Sequence, residues 1–343
     1  MAHEIFGERF YSLRKPAWHN LGIVAEQEAG AIETLKVLGE PVITVEPLTV
    51  TLPNGTAQEL TKQRVILRHP TDDDDAYVPF GIVGSEYQLV TAADVCTVWD
   101  EFVGQPVETM GFLKRGSTFF ITSKLPSVDV KGDEVEMYLG AVAPNDGQRA
   151  ASTEVWPLRV VCANTLAWAQ NEAISSYRVS HDSGAKVRMG EWLADIYQEA
   201  QMTTEVLREA FSILAGVTAE ESAIDTVLKA AYPEPKPLRQ NAPRDVMERR
   251  LKDWTYLRDA SVRYRTSARE LFDGAGKGSD SDAARGTLWG VYNAVVETED
   301  YRKGWMAGGA DAEAARVAEA TMFGIRAEAK VRAYEAAKEL ATA

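Results

Sequence analysis

The sequence is poor in the residues from which metal and catalytic centres are built. Only two cysteines occur in 343 residues, Cys96 and Cys162. No disulfide framework is available from so few, and a reducing cytoplasm is the expected compartment. Each cysteine sits among apolar neighbours, in AADVCTVW and RVVCANTL, where a thiol behaves as a small buried hydrophobe. The four histidines, His3, His19, His69 and His181, are dispersed, and none stands at the spacing of an HExxH or CxxC metal site. No metal and no other cofactor is expected. A GxSxG nucleophile elbow is missing, and the adjacency of His181, Asp182 and Ser183 is no triad, because triads are assembled in space. Catalytic residues are therefore not assigned.

Other absences narrow the field further. The run GAGKGS at residues 274–279 has too little room between its first glycine and the Gly-Lys pair for a phosphate loop, and no strand precedes it. A loop between helices is expected there. Asp72 to Asp75 lack the alternating carboxylates and closing glutamate of a calcium loop, so they read as a solvated turn. No window reaches the length of a membrane span, and MAHEIFGERF has no apolar signal-peptide core. No membrane partner is expected.

What remains is an ordinary globular composition, 45% hydrophobic and 26% charged. The net charge of −14 favours solubility. It also disfavours a protein that coats nucleic acid with its whole surface, while leaving room for a local basic groove.

The apolar pattern predicts an α+β protein, with an antiparallel-sheet N-terminal half carrying interspersed helices and an all-helical C-terminal half. Residues 1–40 mix aromatic, basic and glycine residues without periodicity and read as an N-terminal arm or irregular cap. Residues 41–189 read as the sheet domain. In it VITVEPLTVTL, a PNG turn and RVILRH form a hairpin, and TAADVCTVWDEFV a helix capped by Thr91. A second hairpin turns at Lys114–Gly116, and WPLRVVC is a strand leading into the helix NTLAWAQNEA. Alternation places Trp156, Leu158, Val160 and Cys162 toward the core and Arg159 on the opposite face. Residues 190–343 read as helical: a long helix ends at Gly216, and a capping signal at Thr218 and Glu221 opens the next. A proline-rich connector follows near 232–243, then helices at 244–272, about 282–300 and about 310–342.

Two basic concentrations stand out in this acidic chain. From Lys236 to Arg269 basic residues outnumber acidic ones. At helical spacing Arg258, Arg265 and Arg269 fall within a narrow arc beside an apolar stripe of Met247, Leu251, Trp254, Leu257, Tyr264 and Phe272. Arg249, Lys252 and Arg263 project from nearly the opposite side. Guanidinium groups beside aromatic rings suit phosphates and stacked bases. The competing reading has these arginines bordering a core stripe and pairing with Asp253, Asp259 or Glu270. The second concentration is Arg149, Arg159, Arg178, Lys186 and Arg188, which could line one rim of a cleft near the Asn145-Asp146-Gly147 turn. An enzyme acting on a nucleotide or nucleic acid would centre on Asp146, Arg159 and Asn164.

The segments WHNLG, FGIVGSEYQLVT, PLRVVCANTL and GTLWGVYNAVVE, in this order over residues 1–305, resemble the successive signatures of domain-of-unknown-function family 932, also called the phage/plasmid-like protein family. One departure is visible: Asn145-Asp146-Gly147 stands where the family often shows His-Asp-Gly. The resemblance implies a mobile-element origin, the cytoplasm of a bacterial host, and a role beside DNA replication and recombination. Single-stranded DNA binding or annealing is the leading expectation, with single-stranded DNA as partner and self-association into a homo-oligomer allowed. The alternatives are the nucleic-acid-processing enzyme above and a counter-defence or regulatory protein whose alanine-rich C-terminal helix binds a host protein.

Overall fold

The computed structural model describes residues 5–14, 22–72, 74–159, 176–238, 243–301 and 326–342. Within them the chain is mixed α+β, as its apolar pattern predicts. Seven strands build the main sheet: β1 (Ile5–Leu13), β2 (Ile23–Ala25), β6 (Thr109–Leu113), β7 (Thr118–Val130), β8 (Asp133–Pro144), β9 (Ala151–Arg159) and β10 (Ser176–Val179). Their order is β10-β9-β8-β7-β6-β1-β2. Strands β6 to β10 form an antiparallel meander, β1 runs antiparallel to β6, and β2 is parallel to β1. A second, three-stranded antiparallel sheet holds β3 (Ile43–Thr51), β4 (Ala57–Arg68) and β5 (Val78–Gly84).

The first strand corrects the expectation of an irregular N-terminal arm. Ile5–Leu13 lies inside the sheet with Phe6, Phe10, Tyr11 and Leu13 buried. Its periodicity is illegible because Gly7 and Glu8 both take positive φ, and the pairing with β6 shifts register between Ile5 and Phe10. Such a bulge turns two successive residues out of alternation.

Helices cover the main sheet. α1 (Ala31–Leu38) and α2 (Ala92–Phe102) pack on each other, and α3 (Ala185–Gly216) crosses β7 to β10. Thr91 caps α2 as its sequence predicts: its hydroxyl accepts from the Asp94 N–H, while the Asp94 carboxylate accepts from the Thr91 N–H. The remaining helices are α4 (Glu221–Ala231), α5 (Arg244–Glu270), α6 (Leu288–Tyr301) and α7 (Arg326–Thr342). Of the helix expected over 310–342, residues 310–325 lie outside the described residues.

The capping signal at Thr218 and Glu221 is not used. Glu220 stands at the N-cap of α4 with no side-chain bond, and the Glu221 carboxylate pairs with Arg269. Sheet and helices share one core, in which Phe211 of α3 packs on Trp289 of α6, with ring centroids 4.7 Å apart. The Trp289 indole N–H donates to the Asp133 carboxylate at 2.8 Å, tying α6 to the β7–β8 hairpin.

Candidate nucleic-acid interface

Helix α5 is the longest stretch of the C-terminal half with a polar character on most of its circumference. It packs on α4, α6 and the Leu271–Ala275 turn. Tyr264 and Ala268 face inward, but the preceding turns are largely open, with Leu251 54%, Tyr256 53% and Leu257 52% exposed. Leu251 and Leu257 are thus not part of a buried stripe. The helix diverges from the bundle toward its N-terminal end, so helical spacing alone overstates what is covered.

The proline-rich stretch lies along this helix. Residues 233–238 are irregular and mostly exposed, and their carbonyls serve as acceptors. The Trp254 indole N–H donates to Lys236 O at 3.0 Å, and the Ser261 hydroxyl donates to Pro233 O at 2.9 Å. Proline supplies no N–H to such a strap but leaves its carbonyl available.

The ridge of Arg258, Arg265 and Arg269 is neutralised. Arg258 meets Asp259 at 3.0 Å and lies 5.3 Å from the Trp254 ring centroid. Arg265 meets Glu234 of the strap at 3.1 Å. Arg269 meets Asp273 at 2.8 Å and also Glu221 of α4, contacts that raise its pKa further above the ordinary arginine value. Of the three carboxylates that sequence proximity nominates, Asp259 alone pairs with one of these arginines among the described residues. Glu234 and Glu221 come from distant positions that helical spacing cannot see.

The opposite side differs. Arg249, Lys252 and Arg263 are exposed and reach no carboxylate among the described residues. With Tyr256 they fall within about 60° of the helix circumference at 100° per residue. Tyr256 escapes sequence reasoning because it belongs to no apolar repeat; only its exposure reveals it. Asp259 shares this side but is held by Arg258. Asp245, Glu248 and Glu270 lie toward the helix ends.

The second basic concentration does not assemble around Asp146. Arg159 pairs with Val135 at one end of β9, whereas the Asn145–Gly147 turn leads into the other end, where Ser152 faces Val142. Seven residues of antiparallel strand separate them, about 24 Å. Lys186 stands in the first turn of α3, Arg178 is exposed on β10, and Arg188 is bound to Asp182 at 2.7 Å. β9 is a strand through Arg159 as expected. Cys162, Asn164 and the helix expected after them lie outside the described residues, as do the side chains of Trp156, Leu158, Arg159 and Lys186.

The Asn145–Gly147 turn is itself a junction of both sheets. Asn145 both accepts from Val90 N–H and donates to Val90 O. Asp146 accepts from the N–H groups of Gln148 and Arg149 and from Arg149 Nε. Burial works against its charge, but these donors outweigh it and hold its carboxyl below the usual range. Gly81 of β5 packs so closely on Asp146 O that a Cβ there would lie 2.3 Å away. Beside this turn the His181 ring stacks on Tyr87, with centroids 4.8 Å apart, and its Nδ1 lies 3.1 Å from Gln88 O. Burial lowers the His181 pKa and raises that of Tyr87. His181 Nε2 and the Tyr87 hydroxyl are buried without a hydrogen bond of ordinary geometry. Asn145 also lines a cleft of about 240 Å³ between the sheets, with Glu40, Phe112, Gly116 and Phe119. The Glu40 carboxylate there accepts from Ala92 N–H at the start of α2.

No cluster of three metal-ligating side chains and no helix apolar and long enough to cross a membrane occurs among the described residues. The family model described as Domain of unknown function (DUF932) matches residues 79–327, and the chain belongs to that family. No curated protein and no solved structure matches it.

Proposed function

We propose that the protein binds single-stranded nucleic acid in the DNA metabolism of a phage or other mobile element, and that α5 carries the contact. The supporting observation is the strip of Arg249, Lys252 and Arg263: exposed cations that no carboxylate among the described residues neutralises, ranged beside an exposed tyrosine. Fourteen residues of helix span about 21 Å, so the strip meets several successive phosphates rather than one. Phosphates bound there release counterions, and a base that leaves the stack rests on Tyr256. Neither contact reads base edges, so binding is tolerant of sequence. The acidic remainder of the molecule restricts the strand to this face.

The ridge of Arg258, Arg265 and Arg269, with Trp254, plays a supporting part in this reading. It fastens α5 to α4 and to the strap, and so holds the strip in place. Arg159, Lys186 and Arg188 belong to a different part of the molecule and are not needed for it. Binding of labelled single strands, duplex and RNA measured across a salt series tests the proposal. Single-strand affinity should fall linearly with log salt, by about 0.7 per phosphate contact. A protein that ignores all three nucleic acids at low salt overturns it.

A further inference from the structure

Around Phe6 the chain concentrates backbone strain and positive charge, and the α5 reading uses neither. Five non-glycine residues among those described take positive φ; three of them are Glu8, two residues beyond Phe6, and Lys114 and Arg115, next to Gly116, which packs against the Phe6 ring. Lys114, Arg115 and Gly116 are left-handed in succession, with φ of 52°, 60° and 95°. Strain of this kind persists where surrounding structure over-determines it, and it collects at ligand sites. A β-carbon on Gly116 would meet Phe6 at 3.1 Å and the Arg68 side chain at 3.3 Å, so the turn is pressed against both.

Arg68 is the second part of the arrangement. It is fully buried, its guanidinium lies 4.5 Å from the Phe6 centroid, and its Nε has no hydrogen-bond partner. Its Nη2 donates to Asp74 Oδ2, and the exposed Arg115 donates to the same oxygen at 3.4 Å. Asp74 is presented by a tight turn, in which Thr71 and Asp74 exchange backbone hydrogen bonds of 2.9 and 3.1 Å. The Ala76 N–H and the two guanidiniums hold its carboxyl below the usual range. Two arginines converging on one anionic oxygen form a fork suited to phosphate, which a single carboxylate satisfies only in part. Asp72 and Asp75 on the same loop are exposed, so the loop presents more negative charge than Arg68 needs.

We infer that Arg68 and Arg115, backed by the strained Lys114–Gly116 turn, form a phosphate-binding site that the chain's own Asp74 occupies until a phosphate displaces it. Asp74 is then a plug. A phosphate with two or more charges competes with Asp74 because it offers three acceptor oxygens to both guanidiniums. The site is independent of the strip on α5.

Inorganic pyrophosphate, titrated by calorimetry at constant ionic strength, is the probe. Wild type should bind it measurably. Arg115→Gln, at an exposed position that leaves the fold intact, should weaken binding on the order of tenfold, and Asp74→Asn should tighten it by a similar factor. Should Asp74→Asn prove too unstable to titrate, wild type against Arg115→Gln decides alone. No binding by wild type, equal binding by Arg115→Gln, or no gain in a folded Asp74→Asn protein overturns the site. Competition by 5′-phosphorylated and 5′-hydroxyl oligonucleotides, measured on an Arg249→Gln, Lys252→Gln, Arg263→Gln background, separates the sources. Displacement by the phosphorylated strand alone assigns the site to strand ends, and displacement by neither assigns it to small phosphate compounds.

Discussion

The two sides of α5 carry the same kind of side chain in opposite circumstances. On one side Arg258, Arg265 and Arg269 each reach a carboxylate, two of them on other elements of the fold. On the other, Arg249, Lys252 and Arg263 reach none among the described residues. A cation already paired within its own fold must lose that pair before it can neutralise a phosphate. An unpaired one gives up only counterions and water. The side that looks richer in arginine and aromatic residues is therefore the paired side, and the plainer side is the one whose cations stay exposed.

The sharpest way to break this contrast is to remove the open cations. Arg249→Gln, Lys252→Gln and Arg263→Gln together should flatten the slope of log affinity against log salt by about 2 and weaken single-strand binding roughly a hundredfold at 0.1 M salt. Their stability should be unchanged, as checked by thermal unfolding, because no carboxylate partner among the described residues is lost. Tyr256→Ala tests the ring between them: loss of base stacking should cost about 1–3 kcal/mol of binding, with the salt slope retained. An unchanged affinity would leave the strip a purely electrostatic contact.

Replacing the paired side should give the mirror image at smaller size. Arg258→Gln, Arg265→Gln and Arg269→Gln together should lower stability by about 1–2 kcal/mol, since exposed ion pairs contribute little each, and leave the salt slope within error. A slope that falls as far as in the first variant reverses the assignment of the two sides. The smallest effect is expected away from α5. Burial keeps His181 neutral in the fold, so the unfolded chain takes up a proton first. Its contribution is complete above about pH 6.5 and is lost as pH falls through that value toward the lower folded pKa. The melting temperature should decline between pH 7 and 5.5, and His181→Gln should reduce that decline.

Much of the fold was legible because its signals are local. The Thr91 cap, the Lys114–Gly116 turn and the long helix ending at Gly216 each follow from a few neighbouring residues. β1 was not legible, since left-handed Gly7 and Glu8 break the alternation that marks a strand. The ridge on α5 was legible as a cluster, because periodicity fixes which residues share a face. Its neutralisation was not, because Glu234 and Glu221 lie 31 and 48 positions away along the chain. Asp146 and Arg159 looked close for the converse reason. Proximity in sequence hides the length of the strand between them.

The place of β1 in the sheet bears on how the chain is made. Ser12 pairs with Thr109 and Tyr11 with Met110, while the parallel neighbour β2 is only three residues long. At about 5–20 residues per second, synthesis must continue for roughly 5–20 s after β1 emerges before β6 can join it. Throughout that interval Phe6, Phe10, Tyr11 and Leu13 are without their cover, on a strand whose hydrogen-bonding edge is open. Such an edge invites pairing with a neighbouring nascent chain. The left-handed residues at Gly7 and Glu8, which break the strand's alternation, make it a poorer template for that pairing.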